Sequence, residues 1–149
     1  MQTEEHEITF EIVCTRLPDP QSGGRGVLHL AIQKDDELLE AAPVSCKRIV
    51  FRPVLRVRKH ADGAPNFLGP FAHGSRTDRF IYLVWTVVEG STLVARLGRI
   101  KILLNHIEWP AVERALARAK PIKVTLALTD AKGRPVFASI RPDRATWEL

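Results

Sequence analysis

A two-residue alternation of apolar and polar side chains runs through most of the sequence, and it constrains the fold more than any other feature. In residues 7–15, Ile8, Phe10, Ile12 and Cys14 fall on one parity, while Glu7, Thr9, Glu11 and Thr15 fall on the other. Successive side chains of an extended chain point to opposite faces, so this pattern predicts a half-buried strand. The same reading puts Leu28, Leu30 and Ile32 inward, with His29, Ala31 and Gln33 outward. Asp35-Asp36 then predicts a hairpin tip before a strand at Leu38–Ala41. In Arg48–Arg58, Ile49, Phe51, Leu55 and Val57 face one way, and Arg48, Arg52, Arg56 and Arg58 the other. Pro53 interrupts that run and has no N–H to give a ladder, which predicts an edge position or a bulge.

The second half continues the pattern with two variations. Phe80–Val88 is apolar on both parities, which predicts a central strand covered on both sides. In Leu93–Leu104 the apolar parity switches between Leu97 and Ile100, which predicts a β-bulge at Gly98-Arg99 that restores one inward face. Pro110–Ala119 reads as the one helix, with Val112, Ala115, Leu116 and Ala119 as its apolar stripe and Lys120-Pro121 as its stop. Ile122–Thr129 alternates again, Asp130–Gly133 is turn chemistry, and Val136–Ile140 reads as the returning strand.

Ten prolines and nine glycines punctuate these runs rather than forming a linker. With 149 residues, one domain spanning 1–149 is the expectation. The fold class predicted is mainly β with a minor α+β character. It is an antiparallel β-sandwich or open β-barrel of about 7–9 strands, with one helix at about 110–119.

Charge is unevenly spread. Residues 1–40 carry nine of the 17 acids but only three of the 22 lysines and arginines. Either the basic remainder meets an anionic partner, or the acidic segment packs on it inside the fold; the internal reading is preferred. The acidic start, Glu4-Glu5-His6-Glu7, does not read as a secretion signal. No apolar run approaches the roughly 20 residues that cross a bilayer. Two cysteines without CxxC spacing do not form a disulfide framework. These features predict a cytoplasmic protein with no membrane contact.

Five stretches occur together in an order that resembles a known family: Phe10–Cys14, Leu30–Lys34, Asn66–Gly74, Arg79–Trp85 and Leu128–Gly133. That family consists of small, single-domain bacterial proteins classed only as a domain of unknown function. The resemblance covers most of the chain and implies no activity, cofactor or catalytic residue.

Five constellations bear on function. Residues 59–79 form the long irregular connection, and long connections in compact domains are often working surfaces. It holds His60, Asp62, Asn66, His73, Ser75, Arg76 and Asp78, with Phe67, Leu68 and Phe71 expected to anchor it to the body. His60, His73 and Asp78 are weak catalytic candidates, with His73, Ser75 and Asp78 the sharpest set, but no nucleophile-elbow motif accompanies them. The same histidines and aspartates match no metal spacing, so no metal or other cofactor is assigned. Arg52 and Arg56 lie on the arginine face. That face could contact phosphates, but it lacks the aromatic platforms of nucleic-acid sites. If the strands of Glu7–Thr15 and Arg48–Arg58 are neighbours, Glu7 and Glu11 can sit opposite Arg52 and Arg56. Cys14 is expected to be an inert core thiol, while Cys46 stands beside Lys47 and Arg48. Trp109 and Trp147 line a groove or cap the core.

The reading taken forward is a non-enzymatic domain that binds a protein or small-molecule partner through 59–79, using Asn66, His73, Arg76, Arg52 and Arg56. The alternatives are a small hydrolase or metal-dependent enzyme using the loop His and Asp residues, and a basic nucleic-acid binder. Self-association into a homo-oligomer is left open.

Overall fold

The alternation of the first strand is realised in space: Ile8, Phe10, Ile12 and Cys14 are all buried along β1 (Glu5–Thr15). The computed structural model describes residues 4–19, 26–44, 48–71, 79–134 and 145–149. The strand expected at Val136–Ile140 lies outside the described residues.

The remaining elements, in chain order, are β2 (Val27–Lys34), β3 (Glu37–Pro43), β4 (Arg48–Phe51), β5 (Val54–Lys59) and β6 (Pro65–Leu68). They continue with β7 (Phe80–Glu89), β8 (Thr92–Leu103), α1 (Trp109–Arg118), β9 (Ile122–Ala127) and β10 (Ala145–Glu148). They build two open sheets. One runs β10-β9-β1-β5-β6, with β4 also paired to β1; the other runs β3-β2-β7-β8. The protein is therefore a mainly β sandwich, and the barrel alternative does not apply. One core joins both sheets, with Phe10, Ile12 and Leu55 from the first meeting Leu30, Leu83 and Trp85 from the second.

Three departures from the sequence reading have physical causes. First, the long sheet is not wholly antiparallel: β9 lies parallel to β1, with Phe10 opposite Ile122 and Thr15 opposite Ala127. A parallel neighbour needs a long crossover, and this one comes from more than a hundred residues away in sequence. Second, the expected bulge in β8 falls at Leu97, one residue early, and a second falls at Val94. It does not restore an inward face: Leu93, Val94 and Leu97 are exposed, and only the Ile100–Leu104 end reaches the core. Third, among the described residues long cations lie over the Phe80 and Tyr82 rings of β7. Arg99 lies 4.6 Å over the Tyr82 ring and Lys101 4.7 Å over Phe80, a common use of flexible charged stems.

Pro53 behaves as an edge residue. Glu5 faces Arg58 and Thr15 faces Arg48, so the register of β1 is unchanged across the gap between β5 and β4, and no bulge forms. The Pro53 carbonyl still accepts the Phe10 N–H at 3.0 Å. The helix carries the chain from β8 to β9 and packs Ala111 and Val112 into the core. Ala119 closes it in the left-handed conformation rather than extending its apolar stripe.

Candidate functional site

Residues 59–71, expected to be irregular, form a hairpin. The chain turns after β5 with His60 N–H donating to Ala64 O at 2.7 Å and Gly63 N–H to His60 O at 2.9 Å. Gly63 has φ +90°, a conformation other residues rarely adopt. The Asp62 carboxylate accepts the Ala64 N–H at 2.9 Å and lies 3.3 Å from His60 Nδ1 and 3.6 Å from Arg79 Nη2. The Ala64 N–H, and after it His60 and Arg79, hold the Asp62 carboxyl below its ordinary value. His60 and Asp62 are thus spoken for by turn chemistry.

The returning strand β6 is buried at all four positions. This is why it shows no alternation and was missed. Asn66 faces Arg58 and Leu68 faces Arg56 in the ladder with β5. Phe67 meets Phe10 edge to face with ring centroids 5.3 Å apart.

At the end of β6 the segment is tied to the other sheet. Gly69 N–H donates to Asp35 Oδ2 at 2.7 Å, and Gly69 O accepts Arg56 Nε–H at 3.1 Å. A side chain on Gly69 would bring its Cβ to 3.3 Å from Lys34 O, so glycine suits this close approach. Asp35 and Asp36 form the expected two-residue tip of the β2–β3 hairpin, with φ of +55° and +82°, as the primed hairpin turns require. Lys34 continues the inward parity of Leu28, Leu30 and Ile32, so its ammonium enters the interior and meets Asp35 Oδ1 at 2.6 Å. Their side chains are 0% and 2% exposed. A buried pair of this kind adds little net stability, but losing one partner strands the other.

Beyond Gly69 the character changes abruptly. Pro70 is exposed, and Phe71 is 84% exposed. The expectation that Phe67, Leu68 and Phe71 all anchor the loop holds for the first two only. Phe71 follows the tie to Asp35 by two residues.

The arginine face pairs with the first strand. Glu7 is the ladder partner of Arg56, Arg52 Nη2 lies 2.9 Å from Glu11 Oε1, and Arg56 Nη1 lies 3.4 Å from Glu5 Oε1. Glu40 of β3 also accepts the Arg52 backbone N–H at 3.1 Å, a donor that β4 would otherwise leave open on the sheet edge. The opposed charges of the two chain segments therefore meet inside the molecule.

Of the sequence-derived binding residues, Asn66 and Arg56 lie on the neighbouring strands β6 and β5, and Arg52 lies in the gap between β4 and β5. Asn66 is buried, Arg56 is half-buried and Arg52 is exposed. His60 sits apart in the turn. His73, Ser75, Arg76 and Asp78 lie outside the described residues, as does Cys46. The sequence marks Asp35 only as a turn residue and does not mark the buried pair it forms with Lys34, although a lysine on the inward parity of an otherwise apolar strand is a readable signal. Cys14 is a core residue whose thiol burial pushes up to about 12, so it stays protonated and unreactive. Trp109 and Trp147 pack half-buried against the core, the capping role. No cluster of three or more potential metal ligands occurs among the described residues, and no helix there is long and apolar enough to cross a membrane.

Hollows bounded by described residues lie elsewhere. One of about 300 Å³ runs beside α1, one of about 390 Å³ lies between the ends of β1 and β9, and one of about 260 Å³ lies against β2, β7 and β8. None of these three includes a residue of 59–71. Among protein families, a model described as a family of unknown function, DUF5990, matches residues 8–149. No curated protein and no solved structure matches the chain.

Proposed function

The chain belongs to DUF5990, a family of unknown function, and we propose that it is a non-catalytic domain that binds a protein partner through residues 59–79, with Phe71 as the anchor. The observation that carries this reading is the exposure of Phe71 just past the buried strand β6 and the bond that ties Gly69 to Asp35. An aromatic side chain offered from a fixed base brings a large apolar area to a partner and loses little conformational freedom on docking. Arg52 and Arg56 are engaged by Glu11, Glu5 and the Gly69 carbonyl, which weighs against nucleic acid as the partner. His73 and Arg76 follow Phe71 in the same segment and belong to the proposed contact. The setting in this reading is the bacterial cytoplasm.

Affinity capture from an extract of the source organism tests it. The wild-type protein retains a specific partner. Phe71→Ala loses it while melting at the same temperature, and His73→Ala with Arg76→Ala weakens it. Equal recovery with Phe71→Ala overturns the proposal.

A further inference from the structure

The hollow beside α1 has a wall built by one helical stripe. Ala111, Arg114, Ala115 and Arg118 recur at the three- and four-residue spacing that places side chains on one face. Lys120, Pro121 and Ile122 bound it as the chain leaves the helix, and β1 and β10 contribute Glu11 and Glu148.

Its charges are not balanced. Glu11 is held by Arg52 at 2.9 Å, and Glu148 by Lys123 at 3.4 Å. Arg114, Arg118 and Lys120 make no ion pair among the described residues, and all three are exposed. The negative end of the helix dipole accounts for cations at Arg118 and Lys120. It does not account for Arg114, one turn earlier. Arg114 and Arg118, four residues apart, repel each other on the helix surface. The last carbonyls do not repel a bound anion strongly, because the Ala119 and Lys120 N–H groups already cap Leu116 O and Ala115 O, at 3.3 and 3.1 Å.

We propose that this groove binds a phosphomonoester bearing a small apolar group. The phosphate lies among Arg114, Arg118 and Lys120, and the apolar group lies on Ala111, Ala115 and Pro121. Guanidinium groups match phosphate oxygens two at a time, and a dianion offsets the surplus charge that a monocarboxylate leaves. The volume, about 300 Å³, sits at the small end of ligand sites. None of these residues belongs to 59–79, so the site stands or falls independently of the Phe71 surface.

Titration of the isotope-labelled protein with phenyl phosphate, followed by amide chemical shifts, tests it. The expected result is saturable shifts confined to residues 111–123, with affinity about tenfold tighter than for inorganic phosphate, a gain of about 1.4 kcal/mol from the apolar group. Arg114→Ala with Arg118→Ala should weaken binding by about tenfold or more without lowering the melting temperature. Lys120→Ala, outside the helix, provides the same reading if the double variant fails to fold. No localised shift at millimolar phenyl phosphate overturns the proposal. So does equal affinity for the two probes, or undiminished binding by the folded variant.

Discussion

The tie beneath β6 and the groove beside α1 both gather basic side chains, and they use them in opposite ways. At the tie, Lys34 meets Asp35, Arg56 meets Glu5 and the Gly69 carbonyl, and the interaction is spent inside the molecule. At the groove, Arg114, Arg118 and Lys120 face solvent and make no ion pair among the described residues, the groove's Glu11 and Glu148 being held by Arg52 and Lys123. A basic net charge thus says little about binding until the internal partners are accounted for. The segment 59–71 repeats the contrast with aromatic groups, since Phe67 is spent on Phe10 while Phe71 is left over.

Substitutions can break this contrast. The largest effect is expected at Asp35. Asp35→Ala removes the carboxylate that holds both the buried Lys34 ammonium and the Gly69 N–H, and should cost about 3–5 kcal/mol in urea unfolding. Lys34→Met with Asp35→Asn should recover much of that loss, because no buried charge remains and Asn tolerates the left-handed conformation. A cost below about 1 kcal/mol for Asp35→Ala would mean the tie is not what fixes the segment. Arg52→Ala should cost less, about 0.2–1 kcal/mol and falling with added salt, since its pair with Glu11 is open to solvent. Arg114→Ala with Arg118→Ala should reverse the sign. Relief of like-charge repulsion and the higher helix propensity of alanine predict a gain of about 0.2–0.5 kcal/mol. A clear destabilisation there would show that these arginines are structural. The smallest effect concerns acid. Backbone N–H bonds, from Ala64 to Asp62 and from Arg134 to Asp130, lower both carboxyls in the folded state. A carboxyl so lowered contributes stability above its unfolded value and loses it as pH falls through the folded one. Asp62→Asn with Asp130→Asn should therefore flatten the fall of melting temperature below about pH 4.

Much of this was legible in the residues because alternation reports which face is buried. The parity of β1, β2, β4, β5 and β9 was readable, and so was the meeting of Glu7 and Glu11 with Arg52 and Arg56 once the two strands were taken as neighbours, while the register shows which acid meets which arginine. The parity switch located a bulge within one residue. What could not be read was non-local or unpatterned. The strand β6, buried on both faces, carries no period. The parallel pairing of β9 on β1 leaves no local trace. Lys34 showed its inward parity, but its counter-ion is supplied only because the chain reverses at Asp35. Nor could composition separate Phe67 from Phe71, which differ only in lying on either side of the Asp35–Gly69 bond.

A photo-activatable phenylalanine analogue placed at residue 71, with Leu38 as a control position that is 50% exposed on another edge, tests the central claim most directly. On irradiation in an extract of the source organism, position 71 should give one discrete covalent adduct of higher mass and position 38 none. No adduct at 71, or the same adducts from both positions, would contradict the assignment of Phe71 as the docking anchor.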